Sequence, residues 1–249
     1  MTEPADPGAA VEPDAERPDF SPLDRVGLNL HVVLPMAALD AASRERLAAK
    51  VELARWRQIL VVANGGPELW RSVRASGVGG EDPIDRFSTD AVVGWLAAQR
   101  GAPRGLLLYP GEPVVDLQAL GRAAGWHQAS PLMLGLHPHW GSWFGYRVVM
   151  LTDTDWATNR VWADMLASVC ARCATTPCVT ACPAGAVGTR LDLARCIAHR
   201  LQPDSACTFD CAARLACPVG AQHRYDEGQR RHSYAASLAA IRRYRKAGA

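Results

Sequence analysis

The first 169 residues of this 249-residue chain contain no cysteine, so a site built on thiolates is excluded from most of the molecule. No run of about 18 apolar residues exists, and no transmembrane helix is expected. The N-terminus lacks the basic and apolar stretches of a signal peptide and has no twin-arginine pair. A cytoplasmic home, with no membrane partner, is the expectation. Strong charge of either sign is also missing: the net charge is +2, too little to argue for nucleic acid as a partner. Hydrophobic residues make up 49% and charged residues 21%, the balance of an ordinary globular protein.

What the chain does have is eight cysteines, all between Cys170 and Cys217, in two batches. The first is Cys170-x2-Cys173-x4-Cys178-x3-Cys182, followed at once by Pro183. The second is Cys196, then Cys207-x3-Cys211-x5-Cys217, followed at once by Pro218. Two runs, each closed by Cys-Pro, resemble the bacterial two-cluster ferredoxin pattern, in which the last cysteine of each run ligates the other run's cluster. Thiolates are soft ligands that suit iron–sulfur clusters or zinc. A short loop can hold three corners of a cubane, and the fourth corner comes from elsewhere. The resemblance thus implies two 4Fe–4S clusters. One takes Cys170, Cys173 and Cys178 with remote Cys217, and the other takes Cys196, Cys207 and Cys211 with remote Cys182. Two zinc sites would also use eight cysteines, and disulfides are a third use. Zinc typically takes cysteine pairs spaced about two to four apart. The Cys-Pro closures and the tight triplet favour clusters. The gap between Cys173 and Cys178, with Pro177 inside, is wider than usual and reshapes that loop without removing a ligand.

Residues 1–24 are dominated by Pro, Asp, Glu and Ala and are expected to be a disordered tail. Residues 25–165 alternate short apolar runs with helical stretches. Helices are expected over residues 41–55, 67–75, 85–99 and 116–124, and strands over 58–63, 105–109 and 144–151. Strands alternating with helices argue for an α/β layer fold. Residues 166–228 form the cysteine module. Residues 229–249 read as a C-terminal helix, with Tyr234, Leu238, Ile241 and Arg245 at helical spacing.

The stretch from His137 to Arg147 holds Trp140, Trp143, Phe144 and Tyr146 around a turn at Gly141. On residue type alone these aromatics are either core or pocket wall. Their order, His-Pro-x-x-Gly-x-Trp-Phe-x-x-Arg, resembles the cobalamin-processing proteins of the CblC type, and Pro-x-x-Gly-Ser-Trp occurs in epoxyqueuosine reductases. Asp82-Pro83-Ile84-Asp85 and Arg224-Tyr225-Asp226-Glu227-Gly228-Gln229 resemble two further elements of CblC-type proteins. The cysteine segment is similar to the two-cluster module of epoxyqueuosine reductases and reductive dehalogenases. One departure is that His127-Gln128-Ala129-Ser130 follows Gly125-Trp126, where epoxyqueuosine reductases carry a further residue and then Gly-Lys-Asn. Their tRNA-binding helical-repeat extension has no counterpart before Ala249.

The resemblance implies a nitroreductase-like α+β layer fold that holds base-off cobalamin at its sheet edge. Gly141, Trp143 and Phe144 would line that site, and His137, Ser142 and Arg147 would contact the corrin amides or nucleotide tail. Asp116 resembles the proton-donating aspartate of epoxyqueuosine reductases. A buried carboxyl there would act as general acid, and a helix cap is the alternative role. The expected function is a cobalamin-dependent oxidoreductase whose clusters pass electrons to cobalt, for cofactor processing or for reduction of a small substrate. A flavodoxin or ferredoxin reductase system would be its donor. The alternative is a ferredoxin-like electron carrier without cobalamin.

Overall fold

The computed structural model describes residues 16–112, 114–158 and 168–247. Its centre is a sheet of β1 (Leu30–Pro35), β2 (Gln58–Gly65), β3 (Gly105–Tyr109) and β4 (Phe144–Thr152), in the order β1-β2-β4-β3. Every neighbouring pair is antiparallel. The alternation of strands and helices along the chain therefore builds layers without a parallel sheet. β2 lies between two strands and is buried at every position, which explains its unbroken apolar run.

Helices α1 (Ser21–Asp24), α2 (Ala41–Ala48), α3 (Glu68–Ser76), α4 (Pro83–Ala97) and α5 (Leu117–Ala123) accompany the sheet. Strand side chains alternate between faces, so each face needs its own cover. On one face Leu69, Trp70, Val73, Val92 and Trp95 from α3 and α4 pack with Leu60, Val62, Val148 and Met150. On the other, Leu47 of α2 and Leu120 of α5 pack with Ile59, Val61, Val149 and Leu151. Local chemistry sets the helix ends. Asp40 accepts the Ser43 N–H at 2.9 Å to start α2, and Gly77 ends α3 in the left-handed conformation.

Two expectations are corrected. Residues 16–24 are ordered, because the sheet face buries Leu23 and Phe20 stacks on both His31 and Trp95. Residues 1–15 of the expected tail lie outside the described residues. The helix expected over 41–55 ends at Ala48, and a short 3₁₀ turn over Leu53–Arg55 precedes β2.

The cysteine segment carries α6 (Pro177–Thr180), α7 (Leu193–Arg200) and α8 (Ala212–Ala216), followed by α9 (Glu227–Ala247). α6 packs against α8. Leu132, Val187 and Ala213 form a small separate core there with Cys178, Val179, Cys182, Leu191 and Cys211. The expected boundary at residues 165–166 lies outside the described residues. Among the described residues no helix is long and apolar enough to cross a membrane.

Candidate functional site

All eight cysteines are free thiols, and their electrostatic neighbours divide them into two sets. Cys170 interacts with Cys217, Cys178 and Cys173, and Cys178 interacts with Cys217 and Cys173. Cys196 interacts with Cys211 and Cys182, and Cys207 with Cys211, Cys182 and Cys196. Each set thus combines three thiols of one batch with the last of the other. The local reason is α8. Cys211 caps its N-terminus and Cys217 its C-terminus, so the helix delivers one thiol to each set. Burial first, then the neighbouring thiols, pushes the Cys170, Cys178, Cys196 and Cys207 thiols up. Among the described residues, no three His, Cys, Asp or Glu side chains are arranged to hold a metal ion.

The set of Cys182, Cys196, Cys207 and Cys211 lines one largely apolar cavity of about 400 Å³, with Leu132 and Tyr234 among its walls. Backbone N–H groups already point at its sulfurs: Ala186 donates to Cys182 Sγ and Arg214 to Cys211 Sγ, both at 3.4 Å. Arg200 ties this region to α9, donating to the carbonyls of Cys207 and Tyr234.

The segment from His137 to Arg147 splits between the sheet and the cysteine segment. His137 and Gly141 exchange backbone hydrogen bonds of 2.8 and 2.9 Å, closing a tight loop. The fully buried His137 accepts the N–H groups of His139 and Trp140 at Nδ1. Burial first, then His139 and His223, lowers its pKa to about 3, so the ring is neutral. Gly141 has φ +59°, and a Cβ there would collide with the Val219 carbonyl. A Cβ at Gly220 would collide in turn with the Trp140 backbone. These two glycines let the loop press against the chain just after Cys217-Pro218. Ser142 accepts from Arg214 Nε at 3.2 Å on its hydroxyl and from Arg214 Nη2 at 2.5 Å on its carbonyl. The Arg214 guanidinium lies 4.2 Å from the Trp143 ring centre and 5.3 Å from that of Tyr225. His137, Ser142 and the buried Trp143 therefore build the seam between the sheet and the cysteine segment.

Phe144, Tyr146 and Arg147 are placed differently. β2 pairs Val62 with Val148 and Ala63 with Tyr146, so Arg147 is an extra residue in β4. This bulge shifts the alternation by one, and Phe144 and Tyr146 join the same face as Val149 and Leu151. Arg147 donates to Asn64 Oδ1 at 2.6 Å and stands 3.9 Å from Asp85. Burial raises the Asp85 carboxyl above its ordinary range against the opposing pull of Arg147. Tyr146 Oη and His127 Nδ1 are buried without a hydrogen-bond partner among the described residues.

Asp116 does not have the burial expected of a general acid. Its carboxylate is exposed, accepts the N–H groups of Gln118 and Ala119 at 2.8 and 3.0 Å, and lies 3.7 Å from Arg122. It is the N-cap of α5.

Sequence reasoning missed Arg214 and Tyr234. An arginine between two cysteines and a tyrosine on a helix give no signal until the fold brings them to the thiols.

Three solved structures of epoxyqueuosine reductase share this fold. A selenomethionine-labelled form has a TM-score of 0.52 at 16% identity, covering 84% of this chain and 66% of that one. A complex with an epoxyqueuosine-modified tRNA stem loop has a TM-score of 0.51 at 16% identity and the same coverage of 84% and 66%. A Bacillus subtilis structure, its catalytic loop swung out of the active site, has a TM-score of 0.50 at 16% identity, covering 82% and 64%. The chain thus spans just under two thirds of those proteins. No protein-family model and no curated protein sequence matches it. At this identity the likeness establishes a mixed α/β fold with an antiparallel four-stranded sheet, resembling part of epoxyqueuosine reductase.

Proposed function

We propose that this protein is a redox protein that holds two 4Fe–4S clusters and a base-off cobalamin, and that its clusters deliver electrons to the bound corrinoid. The division of eight thiols into two crossed sets of four carries the reading. Crossed sets are the ligand pattern of paired cubanes. Four thiolates around one zinc ion stand only about 3.8 Å apart, given Zn–S bonds of about 2.3 Å. The sets here group four thiols without forming such a single-ion site. The apolar cavity that the second set helps to line gives room for a group larger than one ion, and the N–H groups aimed at its sulfurs would hold the thiolates in place.

The corrinoid part rests on the sequence resemblance and on the fit of one region. Half-buried Phe144, Tyr146 and Arg147 offer aromatic and cationic surface at one end of β4. Tyr146 Oη and His127 Nδ1 are polar atoms that an amide-rimmed ring could satisfy. Burial raises the Tyr146 phenol, so it remains a donor. His137 spends its Nδ1 on its own loop, accepting the N–H groups of His139 and Trp140. When bound, cobalamin supplies a cobalt centre for one-electron reduction and for attack on a small substrate or loss of an upper ligand. The protein's task is to hold that group within reach of the clusters, which removes a bimolecular encounter from each turnover.

One observation favours a ferredoxin-like carrier without cobalamin: Ser142 and Trp143 face the cysteine segment. Hydroxocobalamin separates the readings. The anaerobic holoprotein should retain it through gel filtration with a base-off spectrum. An enzymatic donor should reduce it faster in wild type than in Cys207→Ser, which still binds it. Failure to co-elute selects the carrier reading.

A further inference from the structure

The Asp82-Pro83-Ile84-Asp85 element opens α4 and has no part in the function proposed above. Asp85 and Thr89 lie one turn apart on that helix and so share a face. Both line an open cleft of about 470 Å³, together with Glu81, Asp82, Arg86 and Asp90. The bulge in β4 supplies the counter-charge. Arg147 donates to Asn64 Oδ1 at 2.6 Å, and the buried Asn64 donates to the Gly66 carbonyl at 3.1 Å, which fixes the guanidinium on the sheet. It stands 3.9 Å from Asp85, near enough to oppose the carboxylate's charge and too far for a hydrogen bond. Among the described residues the Asp85 carboxylate accepts no hydrogen bond, and Thr89 Oγ1 is buried without a hydrogen-bond partner. The Asp85 side chain is 32% exposed, so a ligand group can reach it.

Polar atoms this well enclosed are normally paired, with protein, water or a ligand. One of these is an acceptor, and the other is a hydroxyl that can donate. Four carboxylates at one cleft repel an anion. The charge of Asp85 is already met by Arg147, so a neutral N–H donor suits it better than a second cation. A neutral group that gives hydrogens to a carboxylate and takes one from a hydroxyl is a primary carboxamide. Resting on the reading that this chain binds a corrinoid, we infer that the cleft at Asp85 and Thr89 is a subsite for one carboxamide of the corrin periphery and rejects a carboxylate in its place. Asp85 accepts from the amide nitrogen, Thr89 donates to the amide oxygen, and Arg147 positions Asp85. A ligand carboxylate has no hydrogen to give Asp85 and sets two like charges together.

The test is equilibrium binding, measured anaerobically on the holoprotein by visible titration. The probes are hydroxocobalamin and a panel of its derivatives in which one peripheral carboxamide at a time is replaced by a carboxylate. Wild type should bind one of these acids about tenfold more weakly than hydroxocobalamin. Asp85→Asn keeps the shape and removes the charge, and it should bring those two affinities within about twofold of each other. Thr89→Val should weaken hydroxocobalamin and that acid alike and leave their ratio unchanged. Equal affinity of wild type for hydroxocobalamin and every acid of the panel, or an unchanged ratio in Asp85→Asn, would overturn the inference while leaving the corrinoid reading intact. Wild type that binds no member of the panel and no hydroxocobalamin would overturn the corrinoid reading itself, and this inference with it.

Discussion

His137 shows how a residue with a cofactor-binding look can serve the fold. Its Nδ1 organises the loop that carries Trp140 and Gly141, and burial keeps it neutral with a pKa of about 3. In the unfolded chain the same group titrates near about 6.5. The folded-state value is depressed, so the stability this histidine contributes is fully present above about pH 6.5. It falls as pH drops, by up to about 1.4 kcal/mol per unit, until the folded group also titrates. Anaerobic urea unfolding from about pH 7.5 to about 5.5 should show this decline, and His137→Asn should flatten it. Equal slopes in the two proteins would contradict the assignment. The motif itself was legible as residues, whereas the partner of Ser142 and Trp143 was not. Arg214 lies far along the chain and meets them only through the fold. Asp116 matched both an acid and a cap in sequence, and in the structure it is exposed and caps α5.

Among the elements, β2, β3, β4, α3, α4 and α5 were legible because apolar runs and turn residues bound them on both sides. β1 was not anticipated, although Gly27 and Pro35 bound its largely apolar run. The bulge at Arg147 was also illegible: it is a property of pairing, and it decides which face Phe144 and Tyr146 occupy. α8 is the element that explains the crossed thiols, with Cys211 and Cys217 at opposite ends. Cys182→Ser should therefore damage the cluster of Cys196, Cys207 and Cys211. Cys217→Ser should damage that of Cys170, Cys173 and Cys178. Spectra of the two variants distinguish this from the uncrossed arrangement, in which each substitution injures the cluster of its own batch.

At the scale of the whole molecule, a layered α/β unit is joined to a cysteine segment through interlocked glycines at Gly141 and Gly220 and through Arg214. The layering was readable from alternating strands and helices. The antiparallel order was not, because the sequence pattern does not specify which strands become neighbours. The central claim is that the eight thiols hold two four-iron clusters, and metal and sulfide analysis of the protein, both freshly isolated under anaerobic conditions and after anaerobic reconstitution, tests it most directly. Two cubanes require about eight iron and about eight acid-labile sulfide per chain, with a broad visible absorption that bleaches on reduction. Stoichiometric zinc with no acid-labile sulfide would contradict it.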